Sequence, residues 1–192
     1  VIHNGINISK VEVSNPQILN IRNAYKKMFV CSANWHRQKR LKENIELFFK
    51  IKEKHPSSCL VVMGSTPDCP VNHDDVFFTG SMPHEVCLQV FSAADWMIHL
   101  AWLDHCPNVV VESISQDCPV ICTDSGGTKE IVRKNGIVIK ESNPYNFELT
   151  DYDRPYDILL PSVDVSSLEI DNSYLDIKTV AQKYIRVLQG VK

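Results

Sequence analysis

The sequence predicts an α/β fold in which a six-stranded parallel sheet is covered by helices on both faces. Three observations carry that expectation. Short, nearly continuous apolar runs alternate along the chain with segments whose apolar residues recur at helical spacing, the arrangement that buries strands on both faces and joins them through helical crossovers. The 192 residues are enough for one domain with a sizeable core. The content of 44% hydrophobic and 22% charged residues lies near the globular average, which excludes fibrous and disordered classes.

The elements follow in order. Residues 28–31 form the first buried run, after the exposed pair Lys26-Lys27. Over 40–54, Leu41, Ile45, Phe48 and Phe49 recur at helical spacing until His55-Pro56 stops the pattern. Residues 59–63 read as a strand ended by Gly64, and 76–78 as a strand ended by Thr79-Gly80. Pro83 is placed to open a helix whose Val86, Cys87, Val90, Phe91 and Ala94 make one apolar stripe. Strands at 96–100, 119–122 and 137–139 then alternate with helices at 107–115 and 128–133, the last strand following an Asn135-Gly136 turn. Residues 1–25 read as an interdomain linker and entry segment, and 26–192 as the folded domain. Within that domain, residues 140–172 turn polar, carry Pro144, Pro155 and Pro161, and read as a long surface excursion. A final helix over 173–189 gathers Ile177, Val180, Ala181, Tyr184, Ile185 and Leu188 on one face.

Charge and cysteine usage bound the function. The formal net charge of −3 gives no global positive field for nucleic acid or an anionic membrane, so an anion site must be local. The 7 cysteines are odd in number, lie mostly in apolar runs and include no C-x-x-C pair. Buried free thiols in a reducing cytoplasm fit best. No apolar run approaches the ~18 residues of a membrane span. The opening Val1-Ile2-His3 is neither a signal peptide nor an initiator, so the chain is expected to be a piece of a longer protein. His3, His36, His55, His73, His84, His99 and His105 show no i, i+4 pairing, and no metal set is expected.

In an open doubly wound sheet, ligands bind outside the carboxyl ends of the strands, so the chemistry is sought in those loops. After the first strand, residues 32–40 bring Asn34, Arg37, Lys39 and Arg40 to a helix start. Ammonium, guanidinium and backbone N–H groups there suit an anion, although the same cluster serves equally as a solvated helix start. After the fourth strand, Asp104 precedes a helix that carries Glu112 on its second turn. Such carboxylates also act simply as helix-dipole partners. After the fifth strand, Gly126-Gly127 allows close backbone approach or a turn through positive φ. No G-x-G-x-x-G follows the first strand, and neither a P-loop nor a serine-hydrolase elbow is present. Dinucleotide oxidoreductases, NTPases and that class of hydrolase are thereby disfavoured.

The succession His3-Asn4-Gly5-Ile6-Asn7, the Lys39 loop, Phe78-Thr79-Gly80, Asp104 through Glu112, Pro119-Val120-Ile121 and Gly126-Gly127-Thr128-Lys129-Glu130-Ile131-Val132 resembles the C-terminal, donor-binding domain of GT-B glycosyltransferases, in particular the retaining family 4. The resemblance spans residues ~1–139 together with the last helix. It implies a Rossmann-like α/β/α sandwich, one half of a GT-B fold, which binds a nucleoside-diphosphate sugar and transfers its glycosyl group with retention. It also implies roles by position. Lys39 would hold the donor diphosphate, Asp104 would touch the donor sugar, and Glu112 would hold the ribose. The backbone at Met82 would meet the base, and the N–H groups near Asn108 and Val109 would cradle phosphate oxygens. Gly126 and Gly127 would line the donor site.

The sequence departs from the family pattern at three places. Asn34 and Ala33 stand where an arginine is usual, so Arg37 is the candidate substitute. Asp104 replaces the commoner glutamate, which shortens the reach by one methylene. The acceptor-binding N-terminal domain of such enzymes is absent from this sequence, so the chain alone is expected to be inert. The implied chemistry is stabilisation of a departing diphosphate by fixed positive groups, without a metal or cofactor. Half of a GT-B epimerase or phosphorylase, or a non-catalytic nucleotide-sugar binding module, remains an alternative.

Overall fold

The structure is a computed structural model that describes residues 2–65, 71–142 and 155–190. In chain order the elements are helix α1 (Pro16–Ala24), strand β1 (Lys27–Ser32), helix α2 (Leu41–Lys52), strands β2 (Ser58–Met63) and β3 (Val76–Gly80), helix α3 (His84–Ala93), strand β4 (Trp96–His99), helix α4 (Asn108–Ser115), strand β5 (Val120–Thr123), helix α5 (Thr128–Val132), strand β6 (Gly136–Ile139) and helix α6 (Ile177–Leu188). Short 3-10 turns lie at Arg37–Lys39 and Ser173–Leu175.

All six strands are parallel, in the order β3-β2-β1-β4-β5-β6. This is the Rossmann-like fold that the sequence predicts. The alternation of side chains along each strand divides the core in two. Met28 and Val30 of β1 and Met97 of β4 join Phe91, Val110 and Ile131 on the face carrying α1, α3, α4 and α5. Phe29, Cys31 and Ile98 join Ile45, Leu47 and Phe48 of α2 on the other. Burial on both faces explains why these strands read as unbroken apolar runs rather than as alternating ones.

Three segments differ from the sequence reading. The stretch read as a linker contains α1, which Pro16 opens at its first turn and the Asn15 side chain caps by accepting from the N–H groups of Gln17 and Ile18. Only Ile18 of that helix is buried, too thin a stripe for periodicity to reveal. The polar stretch 140–172 is not confined to the surface. Residues 143–154 of it lie outside the described residues, but Val163 and Val165 are buried in the α2-side core with Ile158 and Leu160 against them. Lys50 and Lys27 hold that segment by donating to the carbonyls of Leu160 (2.7 Å) and Val165 (3.1 Å). Its apolar residues come as the short run 158–160 and the pair Val163 and Val165 on either side of Pro161, too few to mark a period. Near the carboxyl end, a 3-10 turn precedes α6, which Asp176 caps through the N–H groups of Lys178 and Thr179.

The amino-terminal segment returns to α6. Ile6 donates to the Leu175 carbonyl (2.8 Å) and accepts from the Ile177 N–H (2.9 Å). A Cβ on Gly5 would come within 2.9 Å of both Ile177 and Val180, so the absence of a side chain there lets the amino-terminal segment and α6 meet. No helix among the described residues is long and apolar enough to cross a membrane.

Four of the six cysteines among the described residues bear out the expectation of buried free thiols, Cys87 and Cys106 are half-buried, and Cys69 lies outside the described residues. Cys31, Cys59, Cys118 and Cys122 are buried and unpaired. Burial pushes Cys59, Cys118 and Cys122 up to about 12 and Cys31 higher still, so their thiolate fraction at neutral pH is negligible. In the native state these four should resist iodoacetamide while the half-buried Cys106 reacts, and all five should react in denaturant. Mass spectrometry reads this site by site, and native alkylation of the four at the rate of Cys106 would contradict the packing.

Candidate functional site

The chain leaves β1 towards one edge of the sheet, through β2 and β3, and leaves β4 towards the other, through β5 and β6. The two departing loops therefore diverge above neighbouring strands, and a crevice opens between them. Paired residues such as Phe29↔Trp96 and Val30↔Met97 fix the register of its floor.

The loops are tied to each other by reciprocal bonds. The Gln38 amide donates to the Trp102 carbonyl, and the Trp102 N–H donates to the Gln38 carbonyl, each at 2.9 Å. Beside them Lys39 Nζ meets Asp104 Oδ2 at 2.5 Å, and His99 Nε2 stands 3.3 Å from the same oxygen. An ionised carboxylate only accepts, so the fitting imidazole form carries its hydrogen on Nε2. The Lys39, Asp104 and His99 side chains are 19%, 13% and 4% exposed, which removes most solvent screening from the cluster. Burial opposes ionisation of Asp104, but hydrogen bonds from His99 and Lys39, with their charges, outweigh it and hold the carboxyl well below the ordinary range.

The paired glycines hold this carboxylate's loop in place. Gly127 N–H donates to the Asp104 carbonyl at 2.8 Å. A Cβ on Gly127 would lie 2.1 Å from the His105 carbonyl oxygen, and one on Gly126, at φ +74°, would lie 2.5 Å from that of Asp104. Leu103, also left-handed at φ 52°, makes the turn before Asp104, and its N–H donates to Ser125 Oγ.

Farther along the crevice, α4 starts at Asn108 behind Pro107, which offers no side-chain cap. The first N–H groups of a helix have no partner within it, so those of Asn108 and Val109 head a ready anion site. Asn4 donates to the Asn108 side chain at 2.7 Å. One turn on, Glu112 Oε1 lies 3.2 Å from His84 Nε2 at the start of α3. Asn4, Asn108, Glu112 and His84 border a cavity of about 770 Å³ whose opposite wall is Ile177, Tyr184 and Ile185 of α6.

The structure thus brings Lys39 and Asp104 into contact and places Asn108, Val109 and Glu112 along the next helix. Arg37 is exposed on the turn before Lys39, with no hydrogen bond or ion pair to its side chain among the described residues. Asn34 is exposed and accepts from Ser65 Oγ at 3.1 Å, while Met82 is half-buried against the core. Sequence reasoning set every histidine aside and so missed His99 and His84 as partners of the two acids. The available signal was position: His99 ends a strand five residues before Asp104. Among the described residues no group of three or more His, Cys, Asp or Glu side chains is placed to hold a metal.

Comparison with known proteins bears on the family and the fold. The family described as glycosyl transferases group 1 matches residues 16–149. No curated protein sequence matches the chain. Among solved structures, Anabaena HepE in complex with UDP-glucose is similar with a TM-score of 0.56 at 18% identity, over 73% of this chain and 43% of that one. Sucrose-phosphate synthase from Thermosynechococcus elongatus gives 0.55 at 19% identity, over 73% and 39%. The C-terminal domain of LpcC, a glycosyl transferase group 1 family protein from Francisella tularensis, gives 0.58 at 16%, over 72% and 81%. The chain matches less than half the length of the first two and most of the third.

The Asp104 cluster carries a pH signature. A carboxyl whose folded pKa is depressed contributes stability that is present above its unfolded value, about 3.9, and is lost as the pH falls towards the folded value. Asp104→Asn should therefore be less stable than wild type at pH 6–7, with a gap that narrows steadily below about pH 4. Urea unfolding at pH 6.5 and pH 3 measures this. A gap of equal size at both would show that the Lys39–Asp104–His99 contacts do not favour the ionised form.

Proposed function

The chain belongs to the glycosyl transferases group 1 family, and on that premise we propose that it is the donor-binding half of a retaining, family 4 type GT-B glycosyltransferase. The observation that carries this reading is the contact of Lys39 with Asp104 above the point where the strand order reverses, with the start of α4 and Glu112 alongside. The donor is a nucleoside-diphosphate sugar, and its diphosphate lies across Lys39 and the first N–H groups of α4. Glu112 takes the ribose hydroxyls, displacing or sharing His84, because a carboxylate offers four lone-pair sites to a diol's two donors. The backbone at Met82 faces the base, and Asp104 faces the sugar.

The electrostatics set how such a site works. Lys39 and Asp104 neutralise each other, so the pair presents little net charge to an arriving anion. The ammonium must turn towards the diphosphate, and His99 then keeps Asp104 satisfied. Arg37, unengaged on the same turn, supplies further positive charge where Asn34 has none. As the bond between the sugar's anomeric carbon and the diphosphate oxygen breaks, negative charge grows on the departing diphosphate, and fixed positive groups and helix-start amides stabilise it without a metal or a protein cofactor. The acceptor and the group facing the other side of the sugar come from an N-terminal domain, so this chain alone transfers nothing. Its free thiols suit the cytoplasm.

Two measurements test the assignment. A charge pair at ~4 Å is worth ~4 kcal/mol at an effective dielectric of ~20 before desolvation, and each ~1.4 kcal/mol is tenfold in affinity. Lys39→Ala should therefore weaken the binding of UDP, GDP or ADP, whichever binds best, by at least ~10-fold in calorimetric titration. Unchanged affinity would remove Lys39 from the diphosphate site. Hydrogen bonds to a charged group contribute roughly 1.5–3 kcal/mol, so Glu112→Gln should weaken the ribonucleotide more than its 2′-deoxy analogue. An equal loss for both would leave Glu112 as a helix-start carboxylate only.

A further inference from the structure

Arg40 is the one Arg, Lys, Asp or Glu residue among the described residues whose exposure falls as low as 1%. It also has left-handed backbone, at φ 53° and ψ 49°, where glycine would sit without strain. A buried charge and an unfavourable backbone at one position call for a reason in the side chain. Its guanidinium makes a two-pronged pair with Glu141, Nη1 to Oε1 at 2.8 Å and Nη2 to Oε2 at 3.0 Å, and the Glu141 side chain is 2% exposed. Nη1 also donates to the Leu100 carbonyl (3.3 Å) and Nη2 to the Tyr156 carbonyl (2.6 Å).

These contacts meet on the residue that follows Lys39. The turn Arg37–Lys39 is a single 3-10 turn joined to α2 through Arg40, so the position of Lys39 depends on what grips that junction as well as on the Gln38–Trp102 bonds. Asn44, itself 1% exposed, donates to the carbonyls of Lys39 (3.0 Å) and Arg40 (2.7 Å) and accepts from the Leu100 N–H (3.2 Å). Glu141 is held in turn, its N–H donating to Asp124 Oδ1 at 2.9 Å. The segment after β6 therefore reaches the end of β1 through one rigid, charge-assisted bond pair.

We propose that the buried Arg40–Glu141 pair is a positioning device for the diphosphate site, fixing the Lys39 backbone so that its ammonium can turn from Asp104 to the donor's phosphates. Neither residue touches the ligand. The proposal rests on the reading of Lys39 as a diphosphate ligand. It makes the stretch following β6, whose Tyr156 ring also packs edge-on against Trp102, a determinant of donor affinity. A displacement of Lys39 weakens what its charge does and leaves the contacts to base and ribose alone.

The test is a calorimetric titration of the chain with UDP and with UMP, or the corresponding pair for whichever base binds best. Glu141→Gln keeps the shape but removes the charge. It should weaken UDP about tenfold while leaving UMP nearly unchanged, a displacement at a charged contact being able to cost that much. In a Lys39→Ala background, Glu141→Gln should bring no further loss, because two residues acting on one contact are not additive. Equal loss for UDP and UMP, or an undiminished loss in the Lys39→Ala background, would make the pair a structural one and overturn the proposal. Should Glu141→Gln fail to fold, Glu141→Asp keeps the charge and shortens the reach, and the same selective loss of UDP is expected. If Lys39→Ala by itself leaves UDP affinity intact, the reading of Lys39 fails first and this proposal with it.

Discussion

Reversal of strand order between β1 and β4 is the constraint on which the rest of the molecule depends. Neighbouring parallel strands whose connections depart to opposite edges leave an opening that no crossover covers. In this chain the opening is closed at the level of side chains. Lys39 reaches across to Asp104, Gln38 and Trp102 exchange hydrogen bonds, and Asn44 joins the two loops from below. The crevice is thus a built structure with a fixed floor, held by bonds between loops rather than within them.

The same construction explains residues that otherwise look costly. Leu103 and Arg40 both have left-handed backbone, a conformation that L residues adopt at a cost unless the surroundings enforce it. Leu103 turns the chain so that Asp104 faces Lys39. The glycine pair after β5 lets that turn pack directly on its neighbour, with the Gly127 N–H bonded to the Asp104 carbonyl. The segments that follow β1, β4, β5 and β6 each contribute a group to the bonds that fix the two loops: Lys39, Asp104, Gly127 and Glu141.

Much of this was legible in the sequence. The interiors of β1, β2, β4 and β5 are apolar because both faces are buried, and Gly64 after β2 and Pro119 before β5 mark where such runs stop or start. Lys39, Asp104 and Glu112 were placed by their position at strand ends and helix starts and by family resemblance. Their neighbours were harder to see. That His99 meets Asp104 depends on the left-handed turn at Leu103, and that His84 meets Glu112 depends on the packing of α3 beside α4, which no local pattern encodes. The Arg40–Glu141 pair joins residues 101 apart in sequence. Val163 and Val165 are single apolar residues among prolines and polar groups, and only their packing against α2 shows that they belong to the core.

The central claim, that this crevice holds a nucleoside diphosphate, is tested most directly by backbone amide chemical shifts recorded while UDP, GDP and ADP are titrated into the chain. The account predicts that at least one of them perturbs the amides of residues 37–40, 103–109 and 126–127 together, with Glu112 and Met82 following. Perturbations confined to the groove between α2 and Ile158–Leu160, or spread with no focus at the ends of β1 and β4, would contradict it.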